Sequence, residues 1–372
     1  MIFNYSRIVK NISNIPGWRT NRKLIIIESD DWGSIRMPSN DTRTKLLAQG
    51  IPMGHKERQR YTNYDTLASK EDFEVLFDTL KKFKDVNGNH PKITAVSVVA
   101  NPDFNKIKAN NFKEYFYEPF TKTLDRYGLD DAFKMWQIGV KEDLFVPQFH
   151  GREHLNVSVW LRDLQNGHKN TMLAFDHQCW GYANENPFGI DYQAAFDVEF
   201  KEHIQCQKLV IKEGLELFEK LHGYKADFFV PPNGPFNNQL EEIAADGGIK
   251  YMSGSKIQKE PQGQGQLKTK FHWLGQVNRH GQKYITRNCF FEPSDFSKDW
   301  VDSCLADIEL AFKYKKPAVI SSHRVNFTGS LDRKNREFGN QKLAMLLKNI
   351  TNKWPDVEFL TSSELGNLIS NS

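Results

Sequence analysis

Leu24-Ile25-Ile26-Ile27-Glu28-Ser29-Asp30-Asp31-Trp32-Gly33-Ser34 is a short apolar run that discharges into adjacent carboxylates, an aromatic residue and a glycine. Four bulky apolar residues in succession suit a strand covered on both faces. Two aspartates at its end repel one another and lose hydration unless a cation sits beside them. A metal ion meets that need; a helix N-cap or an Asx turn is the other use of the same residues. What the remaining chain brings to this strand end decides between them.

Outward from this run, apolar stretches ending in polar residues recur. Strands are expected at 93–99, 227–230, 249–252, 284–291, 318–322 and 357–360, with a further apolar stretch, Leu144 to Phe149, leading into His150. Between them lie helical patterns: one capped by Ser69 and carrying Phe73, Leu76, Phe77, Leu80 and Phe83, then 111–127, 156–166, 198–221 with Gly214 as a mild interruption, 237–245, 299–312, 335–348 and a capped helix from Ser362. Two excursions break the alternation, a polar loop at about 40–64 and a Gly- and Gln-rich stretch at about 253–283 that suits a hairpin. Strand and helix alternating end to end over roughly seven or eight strands favour a parallel β/α barrel, as one domain over 1–372. No Gly-x-Gly-x-x-Gly follows the first strand, which removes the main argument for a dinucleotide fold.

Composition narrows the class. The 372 residues are 39% hydrophobic and 26% charged, with a mean hydropathy of −0.61, as in a soluble globular protein. A net charge of +4 from 50 basic and 46 acidic residues makes no case for a nucleic-acid partner. Aromatic residues make up 13%, with 27 Phe and 8 Trp, which suits either a sugar cleft or a large core. Cys179, Cys206, Cys289 and Cys304 have no paired short spacing, so buried thiols are expected rather than a zinc knuckle or disulfide framework. The first 22 residues mix Arg7, Lys10, Arg19 and Arg22 without an apolar core of signal-peptide length, and nothing later spans a bilayer. A cytoplasmic protein without a membrane span is expected, with Phe3, Ile8, Val9 and Ile12 on a short amphipathic helix packed on the barrel.

The polar residues fall on one edge. Asp30, Asp31, His150, Asn233, Arg287 and His323 each lie at or just after the C-terminal end of an expected strand, the face on which barrel enzymes build their sites. His150 and His154 are spaced as two imidazoles on one side of a helical turn. With an aspartate they make the ligand set of an open zinc-like site, which cobalt, nickel or manganese also fits. His177, Trp180 and Tyr182 suit either a sugar-stacking loop or a core cluster, and His55 and His90 suit solvated loops.

In these motifs the chain resembles the metal-dependent polysaccharide deacetylases of the carbohydrate esterase group. The resemblance runs from about residue 24 to 327. Glu28-Ser29-Asp30-Asp31-Trp32-Gly33 is similar to the family's Thr-Phe-Asp-Asp-Gly with one residue inserted before the glycine; His150 and His154 match its His-x-x-x-His; Phe229-Val230-Pro231-Pro232-Asn233-Gly234 is similar to its Phe-Arg-Pro-Pro-Tyr-Gly turn; His323 matches its strand-end histidine. The resemblance implies a distorted barrel of about seven strands, with Asp30 as general base, Asp31, His150 and His154 as metal ligands, a backbone N–H near Asn233 holding an oxyanion, and His323 as general acid. It implies a divalent ion such as zinc and a carbohydrate substrate, from which an N- or O-linked acetyl group is removed. Trp32, Asn233, Arg287, Trp180 and Arg324 are the expected substrate contacts.

Two departures accompany it. Val230 stands where the family carries the arginine that charges its base, leaving Arg152, Arg287 or Arg324 to supply that cation. The family's Asp and Trp that orient the general acid have no clear counterpart. A glycoside-cleaving barrel, using Asp30 or Glu153 as acid partner, and a non-catalytic sugar-binding protein remain the alternatives.

Overall fold

The computed structural model describes residues 11–54 and 59–372. Phe3, Ile8, Val9 and His55 lie outside them, while Ile12 lies within and is exposed. Thirteen strands are present among the described residues: β1 (Lys23–Trp32), β2 (Ile93–Ser97), β3 (Ala100–Pro102), β4 (Tyr117–Pro119), β5 (Phe145–Phe149), β6 (Phe228–Phe229), β7 (Tyr251–Gly254), β8 (Ile257–Gly263), β9 (Gln266–Phe271), β10 (Lys283–Thr286), β11 (Cys289–Phe290), β12 (Ala318–His323) and β13 (Val357–Leu360). Nine of them form one sheet, in the order β10-β7-β6-β5-β2-β1-β12-β11, with β13 added to β1. Every pairing within it is parallel. The fold is α/β, a parallel sheet curled into an incomplete barrel with helices outside it.

The two ends of that order, β10 and β11, are joined by Arg287 and Asn288 alone. Extended chain covers at most about 3.5 Å per residue, so the opposite edges of the sheet approach within about 10 Å. The run expected as one strand over 284–291 is therefore two short strands on opposite edges, and the chain crosses the barrel's open seam between them. A second division of labour occurs on β1. Its residues Lys23–Ile26 pair with β13 and Ile27–Trp32 with β2, while Ile25–Asp30 pair with β12 along the other edge.

Side-chain parity on β1 sorts the core. Leu24 and Ile26 point into the barrel with Val96, Phe228, Tyr251, Ile285 and Val319, and the helix Ser362–Ser370 closes that interior with Leu365 and Ile369. Ile25 and Ile27 point outward, beneath the helices Lys70–Leu80 and Ala132–Lys141. Burying each such side chain contributes about 1.5–3 kcal/mol. Glu28 and Asp30 continue the inward parity. Between Ser29 and Trp32 the register against β2 shifts, three steps on β1 answering two on β2, and Asp31 adopts φ 74. This bulge reverses the parity beyond it. Trp32 consequently turns outward onto Phe73, Trp136 and Phe145 at centroid distances of 5.4, 6.4 and 4.7 Å.

The excursions are more ordered than the sequence suggests. Residues 40–64 hold the helices Asn40–Ala48 and Gln59–Tyr64, and 253–283 holds the antiparallel hairpin β8–β9. The expected helix over 111–127 is replaced by β4 and the helix Phe120–Arg126. Gly214 sits inside the helix His203–His222 as a packing point: a Cβ there would meet Phe149 Cζ at 2.8 Å and the Arg152 backbone nitrogen at 3.0 Å. No disulfide joins the four cysteines, and Cys206 is exposed rather than buried. No helix among the described residues is long and apolar enough to cross a membrane.

Candidate active site

The bulge aims two consecutive carboxylates into one cavity of about 520 Å³, whose lining includes Asp30, Asp31, His150, His154, Asn233, Arg287 and His323. Each carboxylate meets a different environment. Asp31 Oδ1 lies 3.3 Å from His150 Nε2 and 3.1 Å from His154 Nε2. One ligand atom from each of the three residues falls within 4.8 Å of the others, and all three residues are buried. Asp31, His150 and His154 thus form a possible metal site. The histidines reach it from a loop, not from the helical turn their spacing suggests. Gly151 at φ 119 turns that loop, and the Arg152 carbonyl pins it by accepting hydrogen bonds from Val99 and Ala100.

The tautomers bear on whether an ion fits. His150 Nδ1 is 2.7 Å from the Val230 carbonyl, which can only accept, so Nδ1 carries the hydrogen and neutral His150 presents a lone pair from Nε2. That lone pair faces a carboxylate oxygen. Two acceptors in contact are satisfied by a cation shared between them, and carboxylate with two imidazoles is an open zinc-type donor set. Val230, standing at the family's arginine position, thus contributes through its backbone. Burial pushes the Asp31 carboxyl upward, but the Arg36 guanidinium, 3.7 Å away, leads the neighbours that outweigh it and hold the carboxyl well below its ordinary value. Burial, working against Asp31, favours neutral His154, the form that ligates.

Asp30 is gripped from the seam. Arg287 donates from Nη1 and Nη2 to its two oxygens, both at 2.6 Å, and from Nε to Glu28 Oε2 at 2.6 Å. Burial raises the carboxyl of Asp30, and Arg287 more than offsets it. Of the three candidate arginines, Arg287 is therefore the cation beside Asp30. Arg152 is bound to Glu153 and Glu213, and buried Arg324 to Asp65 and the Ser34 carbonyl. Glu28 is fully buried and also accepts from Ser253 at 3.1 Å and Ser362 at 2.8 Å.

His323 stands on the other flank, with Nε2 3.9 Å from Asp30 Oδ2. Its Nδ1 is 2.5 Å from Glu292 Oε1, and Glu292 is held in turn by Arg60 at 2.6 Å and Asn326 at 2.9 Å. Burial disfavours the imidazolium, but Glu292, with help from Asp31 and Asp30, raises His323 above the ordinary histidine value.

Several expected substrate contacts are placed elsewhere. Trp32 lies in the outer core with its Nε1 donating to Ser29 Oγ at 3.0 Å, because the bulge turns it away from the cavity. Arg324 is also off the cavity wall, committed to Asp65. Trp180 is buried behind His154, stacked on its ring at 6.3 Å and 24°, and is not on the cavity wall. Asn233 and Arg287 do line the cavity. Glu153 does not, so it offers no acid for glycoside cleavage. His90 binds the Phe83 carbonyl at 2.7 Å and is not simply solvated. Sequence reasoning missed Arg36, Tyr61 and Glu292. For Glu292 the available signal was its place just beyond β11, at a strand end like the others.

No family model and no curated protein matches the chain. Solved structures similar to it include a probable polysaccharide deacetylase from Pseudomonas aeruginosa PAO1, at 10% identity and TM-score 0.47 over 93% of this chain and 91% of that one. The Xyl-CE4 domain of a multidomain xylanase from the hindgut metagenome of Trinervitermes trinervoides is similar at 12% identity and TM-score 0.39, over 94% and 92%. A 4-alpha-glucanotransferase from Thermococcus litoralis is similar at 10% identity and TM-score 0.46, over 92% of this chain and 40% of that one. At these identities and scores the likenesses assign neither family nor activity to the chain.

Proposed function

We propose that this chain is a metal-dependent hydrolase that removes an N- or O-linked acetyl group from a carbohydrate or glycan precursor. The observation that carries the proposal is the meeting, in one cavity, of the Asp31, His150 and His154 donor set with two separately tuned groups, Asp30 on Arg287 and His323 on Glu292. A divalent ion held by those three ligands, zinc in the first instance, supplies Lewis-acid activation of water and of the acyl oxygen.

The chain's own groups do the rest. Asp30, kept ionised by Arg287, accepts a proton from the attacking water. Arg287 fixes both carboxylate oxygens, so the base is oriented before substrate arrives. Backbone N–H near Asn233 steadies the oxyanion as the water oxygen bonds to the acetyl carbon. His323, kept protonated by Glu292, gives a proton to the departing nitrogen or oxygen as its bond to that carbon breaks. Acetate and a free amine or hydroxyl are the products.

The test measures bound metal and acetate released from a panel of acetylated sugars, for the wild type, Asp30→Asn and His150→Ala. Metal in the wild type, its loss in His150→Ala and loss of acetate release in both variants are expected. A wild type that takes up no divalent metal removes the site; metal without acetate from any sugar turns the reading to a binding protein.

A further inference from the structure

Among the described residues, three side chains of the cavity wall are lysine or arginine: Arg36, Lys256 and Arg287. Arg36 faces Asp31 and Asp65, and Arg287 grips Asp30 and Glu28. Lys256 differs. Among the described residues no carboxylate lies within ion-pair distance of its Nζ, and its hydrogen bonds go to two neutral acceptors, Ser13 Oγ at 3.2 Å and Asn14 Oδ1 at 2.9 Å. An ammonium has three hydrogens to place, so one is left over.

Lys316 shows how this fold treats a buried lysine that only holds chain together. Its Nζ donates to the carbonyls of Pro16, Gly17 and Trp18 at 2.8, 2.6 and 2.8 Å, using all three hydrogens. Lys256 ties down the same segment with two and turns the remainder of its charge to a cavity. Burial lowers the Lys256 ammonium to about 8 against the pull of Cys289 and Asp307, which leaves it mostly charged at neutral pH. An unpaired, partly buried cation is costly, and a counter-ion arriving from solvent would relieve that cost. Lys256 follows β7, four strands round the sheet from β1, so it stands across the cavity from the two aspartates.

We propose that Lys256 anchors an anionic oxygen group, a phosphate or a carboxylate, carried by the sugar whose acetyl group is presented to Asp31, His150 and His154. The identity of the acetylated sugar rests on the deacetylase reading; the anion site does not. In this arrangement one end of the substrate is held by charge and the other is delivered to the reacting groups.

Calorimetric titration of the full chain with glucose, glucose 1-phosphate and glucuronate tests it. At least one anionic sugar is expected to bind tenfold or more tightly than glucose, with the advantage abolished in Lys256→Met and Lys256→Gln and kept in Lys256→Arg. An advantage confined to glucose 1-phosphate identifies a phosphate site, and one confined to glucuronate a carboxylate site. No advantage in the wild type overturns the proposal, as does an equal advantage in a folded Lys256→Met or Lys256→Gln. If neither neutral variant folds, wild-type preference for an anionic sugar must survive in Lys256→Arg and be competed by inorganic phosphate or acetate; failure of either overturns it. Acetate release is measured separately, so Lys256-dependent binding without acetate leaves the anion site standing and removes the deacetylase reading.

Discussion

Asp30 and Asp31 are joined by one peptide bond and live in opposite surroundings. Asp30 is closed: a planar guanidinium satisfies both oxygens at 2.6 Å and ties them to Glu28. Asp31 is open: its nearest partners are imidazole nitrogens at 3.1 and 3.3 Å and an arginine at 3.7 Å, looser than the charge-assisted hydrogen bonds a few ångströms away. Saturation suits a group that must be oriented and ionised. Incompleteness suits one awaiting a ligand. A single inserted residue sends the two carboxylates to these different fates.

Disrupting the closed half has the largest expected effect. Arg287→Met leaves Asp30 and Glu28 buried without their counter-ion, and about 3–5 kcal/mol of unfolding free energy is expected to disappear in a urea titration. Arg287→Lys, which lacks the fork, recovers only part of it. An unchanged midpoint for Arg287→Met would erase the contrast between the two halves.

Disrupting the open half leaves the fold and costs the ion. His150→Ala is expected to lower zinc affinity by more than about 100-fold, beyond what loss of an outer partner does, while the melting temperature of the metal-free protein changes little. Loss of both together would mean that Asp31 and the imidazoles are a structural cluster.

Glu292→Gln probes His323, on the far side of Asp30, in its proposed role as acid. The carboxylate raises His323 above its ordinary value, so the protonated acid persists to higher pH than a free histidine would. Removing that charge is expected to lower kcat about tenfold at neutral pH and to move the alkaline limb of the pH profile downward. The same sign governs stability: the His323–Glu292 contribution is full below the unfolded histidine value near 6.5 and fades as pH rises through the raised folded value. A profile displaced upward contradicts the assignment.

The smallest change lies beneath the ligand loop. Gly214→Ala gains about 1 kcal/mol of helix propensity but drives a methyl toward Phe149 and the Arg152 backbone. A net loss of about 1 kcal/mol is expected, with a measurable drop in metal affinity as the loop carrying His150 and His154 shifts. Stabilisation would show that this contact yields freely.

These tests also mark where the sequence stops being readable. The strand-end placement of Asp30, Asp31, His150, Asn233, Arg287 and His323 follows from hydrophobic patterning, since buried parallel strands announce themselves as apolar runs. Their mutual orientation does not. The bulge is written in the sequence only as one extra residue before Gly33, yet it decides that Asp31 faces the cavity and Trp32 does not. The spacing of His150 and His154 pointed to convergence but suggested a helix, because four-residue spacing cannot distinguish a helical turn from a loop pivoted on Gly151. Arg287 was one of three arginines left open, and Glu292 went unread because a two-residue strand such as β11 carries no periodicity. Long-range pairing across a seam has no local signature.

That seam has a consequence for how the protein comes into being. Arg287 lies 257 residues downstream of the carboxylate it charges, on the two-residue stitch that joins the sheet's edges. On a ribosome, the first strand emerges long before its counter-ion, so Asp30 and Glu28 must wait in solvent, hydrated and apart from one another. The same stitch that closes the curled sheet delivers the guanidinium. The guanidinium therefore reaches Asp30 and Glu28 as the two edges of the sheet come together, and a chain cut short of residue 287 lacks the cation that pairs with both carboxylates.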